Sequence, residues 1–374
     1  MHLKANTFVS CVIVALVSFY ALMLASPALS VTLKSLVLLS LYFIPVFFLI
    51  RNRLVKVVLN KFVLFYFLFA FLLTAKDLVL YFFGELSNDA LNFTFLRLFS
   101  FVVLYFLACN VSLLLETKLF FFSIFGALAL FILNFFINVD LSGNVILMLS
   151  LLAIISLQSY YKVIFLSALL VFISLFLESR TGLLIILLYV LHVSLLKLNF
   201  YSTYWLRIIV FILLSFVFFQ IFISIYHYDD LGLNTLLTKR PYIWGVYMQE
   251  SLNSLHSFLI GHGKITNDFA SAVGLIISEE FGNGRNYSAH SFYINFIYEH
   301  GVIFSLLFMV MVLSVFYCRK EFIIGSVSGH ALMFFLIAGL VIPMYLGGNS
   351  VFDIVLTYLL IRVIVLDEPN NSYH

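Results

Sequence analysis

The chain is 374 residues long, 64% apolar and only 10% charged, with a formal net charge of +3 and a mean hydropathy of +1.15. Soluble domains hold roughly 45–50% apolar and about 25% charged residues, so this composition excludes a soluble globular protein and describes an integral membrane protein. The positive excess is small and dispersed, so it gives no reason to expect a nucleic acid as partner.

A spanning helix needs about 20 mostly apolar residues. That rule predicts spans at 8–24, 31–50, 57–74, 93–113, 119–137, 145–157, 163–177, 182–196, 208–225, 302–318, 322–344 and 351–365. The expected architecture is therefore all-α, a polytopic membrane bundle of about 12 transmembrane helices. The first run follows Lys4 as a signal peptide would, but it is longer than the roughly 7–15 apolar residues of such a core, so it reads as the first span. The 45 phenylalanines suit lipid-facing helices better than a compact aqueous core. Cys11, Cys109 and Cys318 fall inside apolar runs as small hydrophobes, without disulfide or metal-ligand spacing. No CxxC, HExxH or phosphate-loop pattern occurs, so neither a metal nor a cofactor is expected.

Short cytoplasmic loops carry an excess of Lys and Arg. With the N-terminus inside, Arg51, Arg53, Lys56, Lys61, Lys118, Lys162, Lys197, Arg207, Arg319 and Lys320 all fall on the cytoplasmic side. Both termini are then cytoplasmic. The turn Glu178-Ser179-Arg180-Thr181-Gly182 and the one long polar interval, 226–301, share the outer face. The chain thus divides into nine spans over 1–225, an extracytoplasmic loop with short helices over 226–301, and three spans with a cytoplasmic tail over 302–374.

Within the loop, Pro241 is preset for the first turn of a helix running towards His256, and Ile243, Val246, Tyr247 and Leu255 share a face suited to lying on a membrane surface. Gly261 and Gly263 interrupt the chain, a second helical piece fits 268–280, and a third starts with Ser288 as N-cap and runs through His290, Tyr293 and Tyr298 to Gly301.

The charged residues of this outer face are the candidates for chemistry. An arginine at the bilayer costs about 2.5–3.5 kcal/mol on insertion scales unless it snorkels or finds a partner. Arg180 is either paired with Glu178 or waiting for an anion, whose oxygens its planar fork would grip in two places. Arg240, beside Lys239, precedes a helix N-terminus that favours an anion. The alternative is a solvated basic pair. Arg97 is a third phosphate contact or a partner of Asp89, and Arg285 lies close to His290. His290, in the first turn of a helix capped by Ser288, would be kept neutral by the dipole and serve as a base; the alternative is a surface histidine bonded to its loop. Glu178, Glu299 and Asp353 are acid or base groups, or structural ones. An outward site has no access to cytoplasmic nucleotide sugars, so any transfer there needs a donor already activated in the bilayer, such as a lipid diphosphate.

The segments Glu178-Ser179-Arg180-Thr181-Gly182, Lys239-Arg240-Pro241-Tyr242-Ile243-Trp244 with Leu259-Ile260-Gly261-His262-Gly263, and Ala289-His290-Ser291-Phe292-Tyr293-Ile294-Asn295 with Glu299-His300-Gly301-Val302 occur in that order around one loop. Together they resemble the O-antigen polymerase and O-antigen ligase superfamily of bacterial envelope biogenesis, over about residues 163–318. The resemblance implies transfer of a glycan from an undecaprenyl diphosphate carrier to an acceptor hydroxyl at the periplasmic face of the inner membrane, without metal or nucleotide. Arg180 and Arg240 would hold the diphosphate as it leaves, with Lys239, Arg285 and Arg97 as further contacts. His290 would take the proton of the attacking hydroxyl, and Glu178 and Glu299 would support. Ser291 departs from the pattern, since relatives often carry Asn there.

A polymerase passes the chain to another carrier-linked repeat unit and takes a chain-length regulator as a partner. A ligase passes it to lipid A core. Polymerase is favoured, because polymerases are more numerous and more divergent. A flippase for lipid-linked sugars is the reading of another class; the late position of the loop and the scarcity of charge within the spans argue against it.

Overall fold

A computed structural model describes residues 56–110, 203–237, 239–264, 289–340 and 351–365, with Phe269, 272–276 and isolated positions between 40–51 and 164–190. The spans expected at 8–24, 31–50, 119–137, 145–157, 163–177 and 182–196 lie wholly or largely outside these residues, as does most of the helix expected at 268–280. Every regular element among the described residues is helical.

In chain order the helices are α1 (Lys61–Phe82), α2 (Asn88–Asn110), α3 (Thr203–Tyr226), α4 (Leu231–Leu236), α5 (Arg240–Leu252), α6 (Leu255–Ile260), α7 (Phe292–Cys318), α8 (Lys320–Gly325), α9 (Val327–Ala338) and α10 (Val351–Val365). Four of them, α1, α2, α3 and α7, are long and apolar enough to cross a membrane. Leu64, Phe71, Phe211 and Phe218 each expose more than half of their surface. Contiguous apolar exposure of this kind is what a lipid-facing helix presents and an aqueous one avoids.

Capping side chains set the helix starts. Asn60 accepts from Val63 N and opens α1, and Ser326 does the same for α9 through Gly329 N. The basic residues expected near the cytoplasmic side serve the other ends. Arg319 donates to the free carbonyl of Ile364 at the end of α10, as does Asn60 Nδ2, and Arg362 donates to the carbonyl of Ala108 near the end of α2. The main core joins α1, α2, α7, α9 and α10 through Tyr66, Phe69, Phe101, Phe308, Phe335 and Leu359.

Three expectations need correction. The span expected at 322–344 is broken at Ser326, where α8 ends and α9 starts. The third span does not stop at Thr74, because α1 continues through the adjacent charges Lys76 and Asp77 to Phe82. Helix α5 does not lie on a surface. It buries Ile243, Trp244, Tyr247 and Met248 against Ala289, Ile294, Ile297 and Tyr298, whereas Leu255 falls on the next helix and is exposed. Ser254 divides the two, capping α6 through Ser257 N. Gly245, inside α5, is required by close approach: a Cβ there would come within 2.3 Å of Tyr228.

Helix α7 is kinked at Gly301, at φ 71° and ψ 178°. The kink frees the carbonyls of Tyr298 and Glu299 from their intrahelical partners. The turn after α6 supplies new ones, with His262 N on Tyr298 O and Gly263 N on Glu299 O, both at 2.9 Å. The backbones meet so closely that a Cβ on Gly261 would lie 2.5 Å from the carbonyl carbon of Glu299, and one on Gly301 2.4 Å from that of Leu259. The Gly-His-Gly and Glu-His-Gly segments are thus two halves of one joint.

Gly84 shares the left-handed backbone, at φ +78°, but a Cβ there meets nothing within 4 Å. Gly84→Ala is therefore expected to cost only the strain of that conformation, about 1–2 kcal/mol. Gly301→Ala and Gly261→Ala add a backbone collision and are expected to cost about 3 kcal/mol or more. Thermal unfolding in detergent distinguishes them, and equal losses at the three positions would contradict the joint.

Candidate functional site

The sequence places His290 between the loop and α7, and the structure shows how it is held. The N-cap of α7 is Ser291, not Ser288: its hydroxyl accepts from Ile294 N at 3.4 Å and donates to Gln220 Oε1 of α3 at 3.1 Å. His290 therefore lies outside the helix, with its backbone in the left-handed region at φ 48°. A non-glycine residue persists there only where its surroundings fix it from several sides.

Four elements do so. Trp244 of α5 donates to Ala289 O at 2.6 Å, Asn295 of α7 accepts from Ala289 N at 3.3 Å, Gln220 holds Ser291, and Gly339 at the end of α9 accepts from Phe292 N at 2.7 Å. Trp244 and Ala289 belong to the second and third segments singled out in the sequence, and this bond joins them.

The electrostatics of His290 follow from its place. Burial first, and then the positive charge of Arg240, bring its pKa down to about 4. The imidazole is thus neutral at pH 7, as expected, but the helix dipole is not the cause, since His290 precedes the helix.

Arg240 is the first residue of α5, and Lys239, at φ 63°, is its N-cap. Both are partly buried, and burial makes the Arg240 cation less favourable than in water. The backbone anion site expected at this helix start is occupied from within. Arg240 N donates to Leu237 O, Pro241 has no N–H, Tyr242 N donates to Asn234 Oδ1 at 2.9 Å, and Ile243 N donates to Lys239 O. An anion here would meet the side chains of Lys239 and Arg240, not the peptide N–H groups. Arg180, Glu178 and Arg285 lie outside the described residues.

Arg97 is elsewhere. Its guanidinium is buried against Asp77, with Nη2 at 2.6 Å from Oδ2, and Thr94 donates to the same oxygen at 2.8 Å. Asp77 Oδ1 faces Lys76 Nζ at 2.9 Å. The ammonium also donates to Glu299 O at 2.7 Å and meets His300 Nδ1 at 3.2 Å. That contact assigns the Nε2–H tautomer to His300, whose Nε2 faces the Glu299 carboxylate at 3.8 Å. Arg97 thus pairs with Asp77 inside the protein and is not directed to a ligand beside His290. Glu299 belongs to the same cluster, about 12 Å along α7 from Ser291. Each charge here would be expensive alone, and together they satisfy one another. The cluster also contributes a third bond to the joint at Gly301.

Sequence reasoning missed Lys76, Asp77 and Gln220, and named Trp244 only as part of a segment, without its bond to Ala289. The signals were present as one adjacent ion pair and one lone amide within apolar runs, where an unsatisfied polar group is costly.

Comparison with protein-family models, with curated proteins and with solved structures returns no match. The functional reading therefore rests on the residues themselves.

Asp77 is the direct ion-pair partner of two cations, so Asp77→Asn is expected to break both pairs and to cost about 3–5 kcal/mol. Arg97→Met leaves Lys76 and Asp77 paired and is expected to cost less, about 1–3 kcal/mol. Chemical or thermal unfolding of the two variants in detergent checks the order, and the reverse order would refute the assignment.

Proposed function

We propose that the chain is a glycan-transferring membrane enzyme, an O-antigen or oligosaccharide repeat-unit polymerase that uses undecaprenyl diphosphate as donor carrier, with its site at the periplasmic face of the inner membrane. The observation that carries the reading is His290: a neutral imidazole, held in strained backbone by four elements, within reach of the charge of Arg240. Strain maintained in this way is a feature of functional sites. An unprotonated imidazole is available to accept a proton, and a fixed cation beside it can meet the charge of an anionic leaving group.

In the proposed reaction, His290 accepts the proton of an acceptor sugar hydroxyl. The hydroxyl oxygen bonds to the anomeric carbon of the donor glycan, and the bond from that carbon to the phosphate oxygen breaks. The electron pair leaves with the lipid diphosphate, whose charge Arg240 and Lys239 meet. Arg180 and Arg285 are proposed to join them, with Glu178 supporting. The imidazolium then returns its proton to solvent or to the diphosphate. Transfer to lipid A core, as by a ligase, uses the same chemistry with another acceptor, and a chain-length regulator remains a proposed partner of the polymerase.

One observation favours a reading of another class. Lys76, Asp77 and Arg97 form an ion cluster inside helices long enough to cross a membrane, and charges so placed often line transport pathways. A flippase for lipid-linked oligosaccharide would use them. The cluster pairs its charges internally and also caps the joint at Gly301, which accounts for it without transport.

Reconstitution with a lipid-diphosphate repeat unit tests the enzyme reading. The wild type is expected to produce a ladder of polymer on the carrier lipid, and His290→Ala is expected to lose about 10²–10⁴-fold in rate. Polymer formation undiminished in His290→Ala, with carrier export lost in Asp77→Asn, would favour transport.

The pH profile gives a second test. With a base of pKa about 4, the rate at pH 5.5 should be nearly that at pH 7.5, whereas an ordinary histidine would retain about a tenth. Because Arg240 disfavours the imidazolium, Arg240→Gln is expected to move the acid limb of the residual activity upward. A limb near 6.5 in the wild type, unmoved by the substitution, would contradict the assignment.

A further inference from the structure

Between α3 and α7 runs a chain of apolar cavities that His290 does not line. The largest, about 330 Å³, is walled by Leu206, Val210, Leu214, Leu313 and Phe316. It shares four of these with a narrow cavity that continues towards Tyr293, and that one shares Val217, Tyr293, Phe308 and Met309 with a third of about 200 Å³ near Phe292. The two helices are antiparallel, because Gln220 near the end of α3 bonds Ser291 at the start of α7. The furrow therefore follows the length of both.

Its lining is almost wholly apolar except at one end, where Arg207 of α3, Lys320 of α8 and the ring of Tyr317 form the mouth. Arg207, Phe211 and Tyr317 are exposed there. A sugar or peptide would find no partners along such a wall. A molecule with an apolar chain of bilayer length and an anionic head finds both.

We propose that this furrow binds an anionic phospholipid of the surrounding bilayer, its phosphate between Arg207 and Lys320 and an acyl chain laid along α3 and α7. Charge complementarity at the mouth selects it over a zwitterionic lipid, and the polarity of the furrow sets its direction: head at the Arg207 end, chain terminus towards Tyr293. The ligand is a lipid of the leaflet, not the carrier substrate, and the site is independent of the glycan-transfer reading.

Native mass spectrometry of the full chain released from detergent tests this with phosphatidylglycerol and phosphatidylcholine as probes. The wild type is expected to retain phosphatidylglycerol preferentially. Arg207→Gln/Lys320→Gln is expected to weaken that retention about thirtyfold, since each basic side chain at a membrane surface contributes about a fivefold factor in affinity and the two multiply. Arg207→Lys/Lys320→Arg, which conserves charge, should preserve it. Leu214→Trp, which fills the furrow without touching the charges, should reduce occupancy by both lipids while far-ultraviolet circular dichroism stays unchanged. Equal retention of the two lipids by the wild type, undiminished phosphatidylglycerol binding in the double glutamine variant, or a second copy of the chain in place of lipid would each overturn the proposal.

Discussion

The carbonyls of Tyr298 and Glu299, freed from helical bonding by the kink at Gly301, are the point on which the described structure turns. Three donors from two distant parts of the chain take them: His262 N and Gly263 N from the turn after α6, and Lys76 Nζ from α1. Unsatisfied carbonyls in an apolar setting would each cost several kcal/mol. The joint therefore fixes at once where α6 ends, how α7 bends and which face of α1 approaches it. The ion cluster of Lys76, Asp77 and Arg97 is best understood from this joint, since it keeps a buried ammonium in place to serve a backbone group.

Downstream of that constraint lies the placement of His290. The first stretch of α7, from Ser291 to His300, is buried throughout. Its far end is anchored by the joint, and its near end by Gln220, Gly339 and Trp244. A segment fixed at both ends can hold the residue just before it in a backbone conformation that it would not choose alone. Position and protonation then have one origin: the elements that strain His290 also shield it in part from water, and they bring the start of α5 close enough for Arg240 to act on the imidazole.

Much of the architecture could be read from apolar runs. The last helix lies where composition places it, at Val351–Val365, and the helical character of 93–113, 208–225 and 302–318 is matched by α2, α3 and α7. What escaped was whatever depends on a partner remote in sequence. Lys76 and Asp77 read locally as a helix stop, because charges in an apolar run are costly unless paired, and Arg97 and Glu299 are out of view of any local window. The cap of α7 was misplaced for a similar reason. Ser288 and Ser291 are both acceptable N-caps by residue type, and only Gln220 and Gly339 decide for Ser291. The open helix start at Pro241 was a sound inference from sequence, defeated by Asn234, which folds back onto Tyr242 N.

We propose that a diphosphate binds between the Lys239–Arg240 end of α5 and the imidazole of His290. A cryo-electron microscopy structure of the protein in nanodiscs with undecaprenyl diphosphate bound tests it most directly. The account predicts diphosphate density against the Arg240 guanidinium, with the His290 ring facing the bond that would break. Diphosphate bound at Lys76 and Arg97 with their contacts to Asp77 opened, or remote from both Arg240 and His290, would contradict it.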